Sequence, residues 1–130
     1  MIENPRTGEQ IVFEIRKPEL LVMRSTWTRA GRRAAAHVHP EIEERYEILE
    51  GRAAFRVAGI ERIAGPGETV VVLPGTPHLA WNPTEEVVRL RITMRPALRW
   101  AVFVERLFAG DDAVALVREF DREIRVVTGP

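Results

Sequence analysis

The feature that most constrains this chain is an alternation of apolar and polar residues through most of its first 96 positions, broken at short intervals by glycine and proline. Alternation with period two sends successive side chains to opposite faces of an extended backbone, so it describes strands that bury one face and solvate the other. Ile11, Phe13 and Ile15 alternate with Val12, Glu14 and Arg16, while Val88, Leu90, Ile92 and Met94 share a face opposite Arg89, Arg91, Thr93 and Arg95. Between them lie residues 53–57, an Ala58-Gly59 turn, and residues 60–63 and 69–73. Gly31, Gly51, Pro66-Gly67, Pro74-Gly75 and Asn82-Pro83 divide the region into about eight or nine short strands. Short strands at such regular spacing close into a sandwich or barrel.

After Pro96 the period lengthens to that of a helix. Over residues 97–109 a stripe is formed by Leu98, Ala101, Val102, Glu105 and Phe108, with Gly110 as its stop. Asp111 or Asp112 then caps a second helix whose Ala113, Leu116, Val117, Phe120 and Ile124 make an apolar face. Such a face is expected to pack on the parent domain. No linker, repeat or low-complexity segment interrupts the chain, which reads as one domain, 1–130, with a barrel at about 10–96 and helices at about 97–126.

Composition narrows the chemistry. The 130 residues contain no cysteine, which excludes disulfides, thiolate zinc sites, iron–sulfur clusters and a cysteine nucleophile. Any metal must then rest on imidazole and carboxylate. Lysine plus arginine balance aspartate plus glutamate at 19 each, so the chain lacks the basic footprint of a nucleic-acid binder. No apolar run reaches the roughly 18 residues of a membrane span, and Met1-Ile2-Glu3-Asn4-Pro5 lacks the apolar stretch of a signal peptide. The expected location is the cytoplasm, with no membrane partner.

All three histidines fall beside strand and turn signals. His37-Val38-His39 projects both imidazoles from one face of a strand, and Pro40 then interrupts the ladder. Glu44 shares parity with Tyr46 and Ile48, which points a carboxylate the same way as two apolar side chains. A charge facing a core needs a partner, and a divalent cation is the best one available. His78 follows the turn-rich Pro74-Gly75-Thr76-Pro77, which can aim one side chain inward.

At these residues a resemblance becomes specific. Gly31-(x5)-His37-x-His39-(x4)-Glu44-(x6)-Gly51 resembles the first motif of the cupin superfamily position for position, and Gly67-(x5)-Leu73-Pro74-Gly75-(x2)-His78-(x3)-Asn82 resembles the second. One departure is Leu73, where the family usually has the proline of its P-x-G element. The resemblance covers residues 31–82. It implies an all-β fold, the double-stranded β-helix or jelly-roll barrel of small single-domain bacterial cupins, here with a short C-terminal helical tail. It also implies that His37, His39, Glu44 and His78 are metal ligands facing the barrel interior. Glu43 fits a shorter family spacing from His39 but sits too far from Gly51, so Glu44 is preferred, and Glu41 and Glu43 are expected in solvent.

Three neutral imidazoles and one carboxylate would give one divalent ion per chain a site charge of about +1 with open positions for water or substrate, and Zn, Mn, Fe or Ni all suit such ligands. Tyr46, Phe55, Trp81 and Trp100 are candidates to line a pocket over the metal. The motif glycines and Asn82 read as turn-forming residues, and the arginine row 89, 91 and 95 as a solvated face. Two functions remain open: an enzyme, of dioxygenase or isomerase type, acting on a small organic molecule, or a binding or sensing module that uses the same metal without turnover. A homodimer is expected, with the strand near Gln10–Arg16 as a candidate for covering a neighbour's edge.

Overall fold

The computed structural model describes residues 1–32 and 35–127; the last three positions of the expected domain lie outside them. The strands are β1 (Ile2–Glu3), β2 (Gln10–Arg16), β3 (Leu21–Trp27), β4 (Gly31–Arg32), β5 (His37–Val38), β6 (Glu43–Glu50), β7 (Ala53–Val57), β8 (Ile60–Ala64), β9 (Thr69–Val72), β10 (His78–Asn82) and β11 (Val88–Arg95). Helices α1 (Trp100–Phe108) and α2 (Ala113–Glu119) follow, and the tail ends in β12 (Arg125–Val126). Among the described residues, no helix is long and apolar enough to cross a membrane.

The strands form two antiparallel sheets, β1-β2-β3-β11-β6-β9 and β12-β5-β10-β7-β8, with β4 pairing β10. From β5 to β11 the chain alternates between the two sheets, with only the β7–β8 hairpin staying within one, which is how a jelly roll wraps two sheets around one core. Alternation decides what enters that core. Along β3 the buried residues are Leu21, Met23, Ser25 and Trp27, and along β11 they are Val88, Leu90, Ile92 and Met94. Those two strands pair from Val88↔Trp27 to Met94↔Leu21, so the inward residues stack in layers from one end of the barrel to the other. The opposite face of β11 carries Arg89 and Arg91, paired with Glu50 and Glu14 in solvent.

Two glycines allow the turns that set this register. Gly51 has φ of 79°, and a Cβ there would lie 2.4 Å from the Val87 carbonyl oxygen, so only glycine lets the β6–β7 turn approach the start of β11. Gly75 has φ of 76° and donates its N–H to the His39 carbonyl at 2.9 Å. That bond ties the turn before His78 to the segment holding the other histidines.

The helical tail differs from the periodic reading in phase and extent. The α1 helix begins at Trp100, not at residue 97, and buries Ala101, Phe103, Val104 and Phe108. Val102 is 38% exposed, and Glu105 reaches out to Arg16. Helix α2 starts at the expected cap, Asp112, whose carboxylate accepts the Ala115 N–H at 3.0 Å, but it stops at Glu119. A turn with Glu123 and Ile124 N–H groups bonded to the Phe120 carbonyl then brings the chain back to the barrel. There β12 pairs with β5, an element too short to leave a pattern in the sequence.

Candidate metal centre

Three imidazoles come from one sheet and a carboxylate from the other. His37 on β5 lies directly opposite His78 on β10 in an antiparallel pair, and directly opposed residues point to the same face. His39, two residues after His37, joins them. The ring centroids are 4.5 Å apart for His37 and His78, 4.9 Å for His37 and His39, and 5.0 Å for His39 and His78. Glu44 approaches from β6, where it pairs with Met94 and Val72. His39, His78 and Glu44 are buried, at 2%, 2% and 4% exposure, while His37 retains partial contact with solvent.

The hydrogen bonds fix the tautomers. Each Nδ1 faces a backbone carbonyl oxygen: Ala35 for His37 at 2.8 Å, Glu123 for His39 at 2.8 Å and Thr76 for His78 at 2.9 Å. A carbonyl only accepts, so each Nδ1 carries a hydrogen and each neutral ring presents its lone pair at Nε2. The Nε2 atoms of His39 and His78 lie 3.1 and 3.2 Å from the same Glu44 oxygen, Oε1. With both rings neutral, lone pairs face lone pairs there. One proton cannot satisfy both contacts, whereas a single cation among the three groups can.

The ionisation of the group has the same cause. Burial opposes protonation of His39, yet the charge of Glu44 and its hydrogen bond outweigh burial and raise the ring above its ordinary value. Burial would likewise raise Glu44, but the His39 charge and the bonds from His39 and His78 hold the carboxyl well below the usual range. His37 is pushed down to about 4 by burial and by repulsion from His78 and His39, so it stays neutral. The nearest ligand atoms of the three rings all lie within 4.8 Å of one another, close to the span of one coordination sphere with metal–nitrogen bonds of about 2.1 Å. The donor set, all nitrogen and oxygen, fits a divalent first-row ion.

Other residues singled out in the sequence fall in different places. Tyr46 shares the inward face with Glu44 and is held neutral by burial and by the Glu44 charge. Its ring meets Phe55 edge-on at 5.0 Å. Trp81 goes elsewhere. The parity that turns His78 inward turns Trp81 outward, where it lines a surface groove with Ala54, Glu61, Arg62, Ile63 and Pro83. Trp100, at the start of α1, sits edge-on to His39 at 4.8 Å. Glu41 lies in solvent against Arg122, and Glu43 is exposed. Asn82 closes a turn, donating to the Glu86 carbonyl and accepting from Thr84. The carbonyl of Glu123 was not foreseen, because a backbone oxygen has no residue signature.

A family model described as a cupin domain matches residues 28–94. A search of curated protein sequences finds no match. Among solved structures the chain resembles an RmlC-like cupin from Shewanella frigidimarina, at 23% identity and TM-score 0.66 over 75% of this chain and 84% of the other. It is similar to TT1209 from Thermus thermophilus, at 22% identity and TM-score 0.64 over 72% and 87% of the two chains. A sugar phosphate isomerase of the cupin superfamily from Silicibacter pomeroyi aligns at 16% identity and TM-score 0.60, over 68% of this chain and 59% of its own. At these identities the likeness is one of fold.

Proposed function

We propose that this chain, which belongs to the cupin domain family, holds one divalent metal ion on His37, His39, His78 and Glu44 and uses it to bind a small organic molecule and act on it. The observation that carries this reading is the pair of Nε2 lone pairs converging on one Glu44 oxygen while every Nδ1 is engaged elsewhere. That arrangement of acceptors is expensive when buried unless a cation occupies their centre.

When bound, the ion would supply Lewis acidity, or one-electron chemistry if it is Fe or Mn. The chain's own residues would do the rest. Backbone carbonyls hold the three Nδ1 hydrogens and so fix the ring planes. Tyr46, buried on the same face of β6 as Glu44, keeps its proton. Phe55, Ile92 and Met94 are buried in the same barrel and exclude water from the interior side. His37, the partly exposed ring, marks the side from which a small molecule reaches the ion. The similar sugar phosphate isomerase is consistent with a small oxygen-rich substrate.

One observation favours a second reading, a binding or sensing module. Among the described residues, the buried polar set outside the ligands is Ser25, Asn82 and Glu123, and the first two are engaged in bonds of their own. Tyr46 is then the one proton-bearing side chain placed at the centre. Elemental analysis of protein purified without added ions tests the metal reading, with about one equivalent expected and none overturning it. A substrate screen with an oxygen-consumption readout then separates the two functions, since stoichiometric binding without turnover selects the module. The chain is further proposed to be a cytoplasmic homodimer. Val12 and Ile15 on β2 are 45% and 38% exposed, beyond the short stretch that β1 covers. A monomer in sedimentation at micromolar concentration would overturn that.

A further inference from the structure

We infer that the C-terminal tail is a positioning element of the metal centre, with Glu123 as the residue that holds it on His39. The inference rests on the reading of His37, His39, His78 and Glu44 as ligands.

Two of the three imidazoles are braced by the tail. The Glu123 carbonyl accepts the His39 Nδ1–H at 2.8 Å, and the Trp100 ring meets His39 edge-on at 4.8 Å. On the next strand Val126 pairs with His37, and the Val127 N–H donates to the Ala36 carbonyl at 2.9 Å. The tail therefore sets both the plane of the His39 ring and the path of the strand carrying His37.

The Glu123 side chain joins these contacts to each other. Helix α1 has no side-chain cap of its own at Arg99. Glu123 Oε2 supplies one from outside the helix, accepting the Arg99 N–H at 3.1 Å, with the Arg99 guanidinium 3.7 Å away. A carboxylate is favoured at that position because unsatisfied N–H groups and the helix dipole both point there. The next residue is Trp100, stacked on Phe103 at 4.8 Å. One carboxylate thus fixes the start of α1, which seats Trp100, and fixes its own backbone, which presents the carbonyl. It does so at 1% exposure, with Oε1 lacking any hydrogen-bond partner among the described residues. Burying an unpaired carboxylate oxygen is a cost that simple fastening of a tail does not require, since an apolar side chain would pack there at less expense.

The test uses the full chain and Co(II) as probe, comparing Glu123→Ala, Glu123→Gln and a control, Asp112→Ala, which removes the cap of α2 far from the ligands. Expected results are a loss of Co(II) affinity of about tenfold to a hundredfold for Glu123→Ala, the range for removing a group that orients a ligand, with a changed visible spectrum. Glu123→Gln, whose amide oxygen still accepts from Arg99, recovers most of both. Asp112→Ala lowers the melting temperature and leaves affinity and spectrum unchanged. Wild-type affinity and spectrum in Glu123→Ala overturn the proposal. If Glu123→Ala does not fold, Glu123→Leu, which fills the buried site with an apolar side chain that cannot accept from Arg99, takes its place, and wild-type affinity and spectrum there overturn the proposal. Nitrogen-15 spectra of the metal-free protein give a second reading. They should show His39 held as the Nδ1–H tautomer in the wild type and in Glu123→Gln, and redistributed in Glu123→Ala. Should the wild type bind no Co(II), the ligand assignment fails, and an unaltered His39 tautomer in Glu123→Ala then overturns the positioning role separately.

Discussion

Among the described residues, two polar clusters made largely of buried groups stand near opposite ends of the barrel, and they are built on opposite logic. Near the β3 terminus the Trp27 Nε1–H donates to Ser25 Oγ at 3.0 Å and to Glu9 Oε2 at 3.2 Å, and the Ser25 hydroxyl donates to the same Glu9 oxygen at 2.6 Å. Two donors converge on an acceptor, and the group is complete as protein alone. Near the other end, three imidazoles turn their Nδ1 donors outward to backbone carbonyls, and two of them, His39 and His78, aim Nε2 at one oxygen of a carboxylate. A buried network that closes on itself fixes a structure. One whose neutral rings converge with acceptors on a carboxylate fixes a place for a cation, a proton on His39 in the metal-free protein or a metal ion, and burial alone would not have separated the two.

Breaking the histidine end should give the largest effect. His78→Ala removes one nitrogen ligand and one of the two Nε2 contacts with Glu44, so metal content measured on the purified protein should fall by about tenfold or more. The strand pairing of β10 with β7 does not use the ring, and the far-ultraviolet circular dichroism should be retained. Full metal content in this variant would remove the distinction between the two ends.

Glu44→Gln sharpens the comparison by converting one kind of cluster into the other. The amide can donate where the carboxylate could only accept, so it can supply hydrogens to the Nε2 lone pairs of His39 and His78. Metal affinity should drop by about a hundredfold through loss of the anionic ligand. Above the folded value of His39 the metal-free protein should melt no lower than the wild type, and its stability should no longer follow His39 ionisation. A variant markedly less stable without metal would mean that the histidine end, too, is a closed structural network.

The comparison is also visible against pH. His39 is raised above its ordinary value of 6.5 by Glu44, so its contribution to metal-free stability is present below pH 6.5 and lost as pH rises through the folded value. The same proton must leave before a metal binds. Below the folded value, affinity should therefore fall by about tenfold per pH unit for the one proton displaced, checked by competition with a chelator of known acidity. His37 adds the opposite sign to stability. Lowered to about 4, it is protonated more readily in the unfolded chain, so metal-free stability declines as pH drops from 6.5 toward 4. A flat affinity profile would place no proton between His39 and Glu44.

How far the sequence reached depends on whether a feature is carried by side chains at fixed spacing. The alternation of residues 88–95 places the inward row as observed, and the spacing of His37, His39, Glu44 and His78 brings four side chains together from two sheets. Trp81 obeys the same alternation, since its odd offset from His78 turns it to the other face and away from the site. The phase of α1 was not legible, because Glu105 was read into the buried stripe while its partner Arg16 lies 89 positions away. The tail's part in the site was hidden more deeply. It acts through the carbonyls of Glu123 and Ala36 and through a two-residue strand, and none of these depends on side-chain pattern.

The smallest effect is expected at the closed end, and it carries the comparison's last step. Ser25 is 1% exposed, donates to Glu9 and accepts from Trp27. Replacing it by alanine removes one hydroxyl, yet Trp27 Nε1 keeps Glu9 Oε2 at 3.2 Å, so no donor is left stranded. The cost should then be that of a satisfied hydrogen bond, about 1 kcal/mol, rather than the larger penalty of an orphaned polar group. Denaturant unfolding of the metal-free protein measures it. Co(II) affinity should stay at the wild-type value, because Ser25 stands opposite Leu90 on β11 while Glu44 stands opposite Met94, four residues further along the same strand. A change in Co(II) affinity in Ser25→Ala would show that the two clusters are coupled through the barrel, and the division between a structural end and a chemical end would have to be given up.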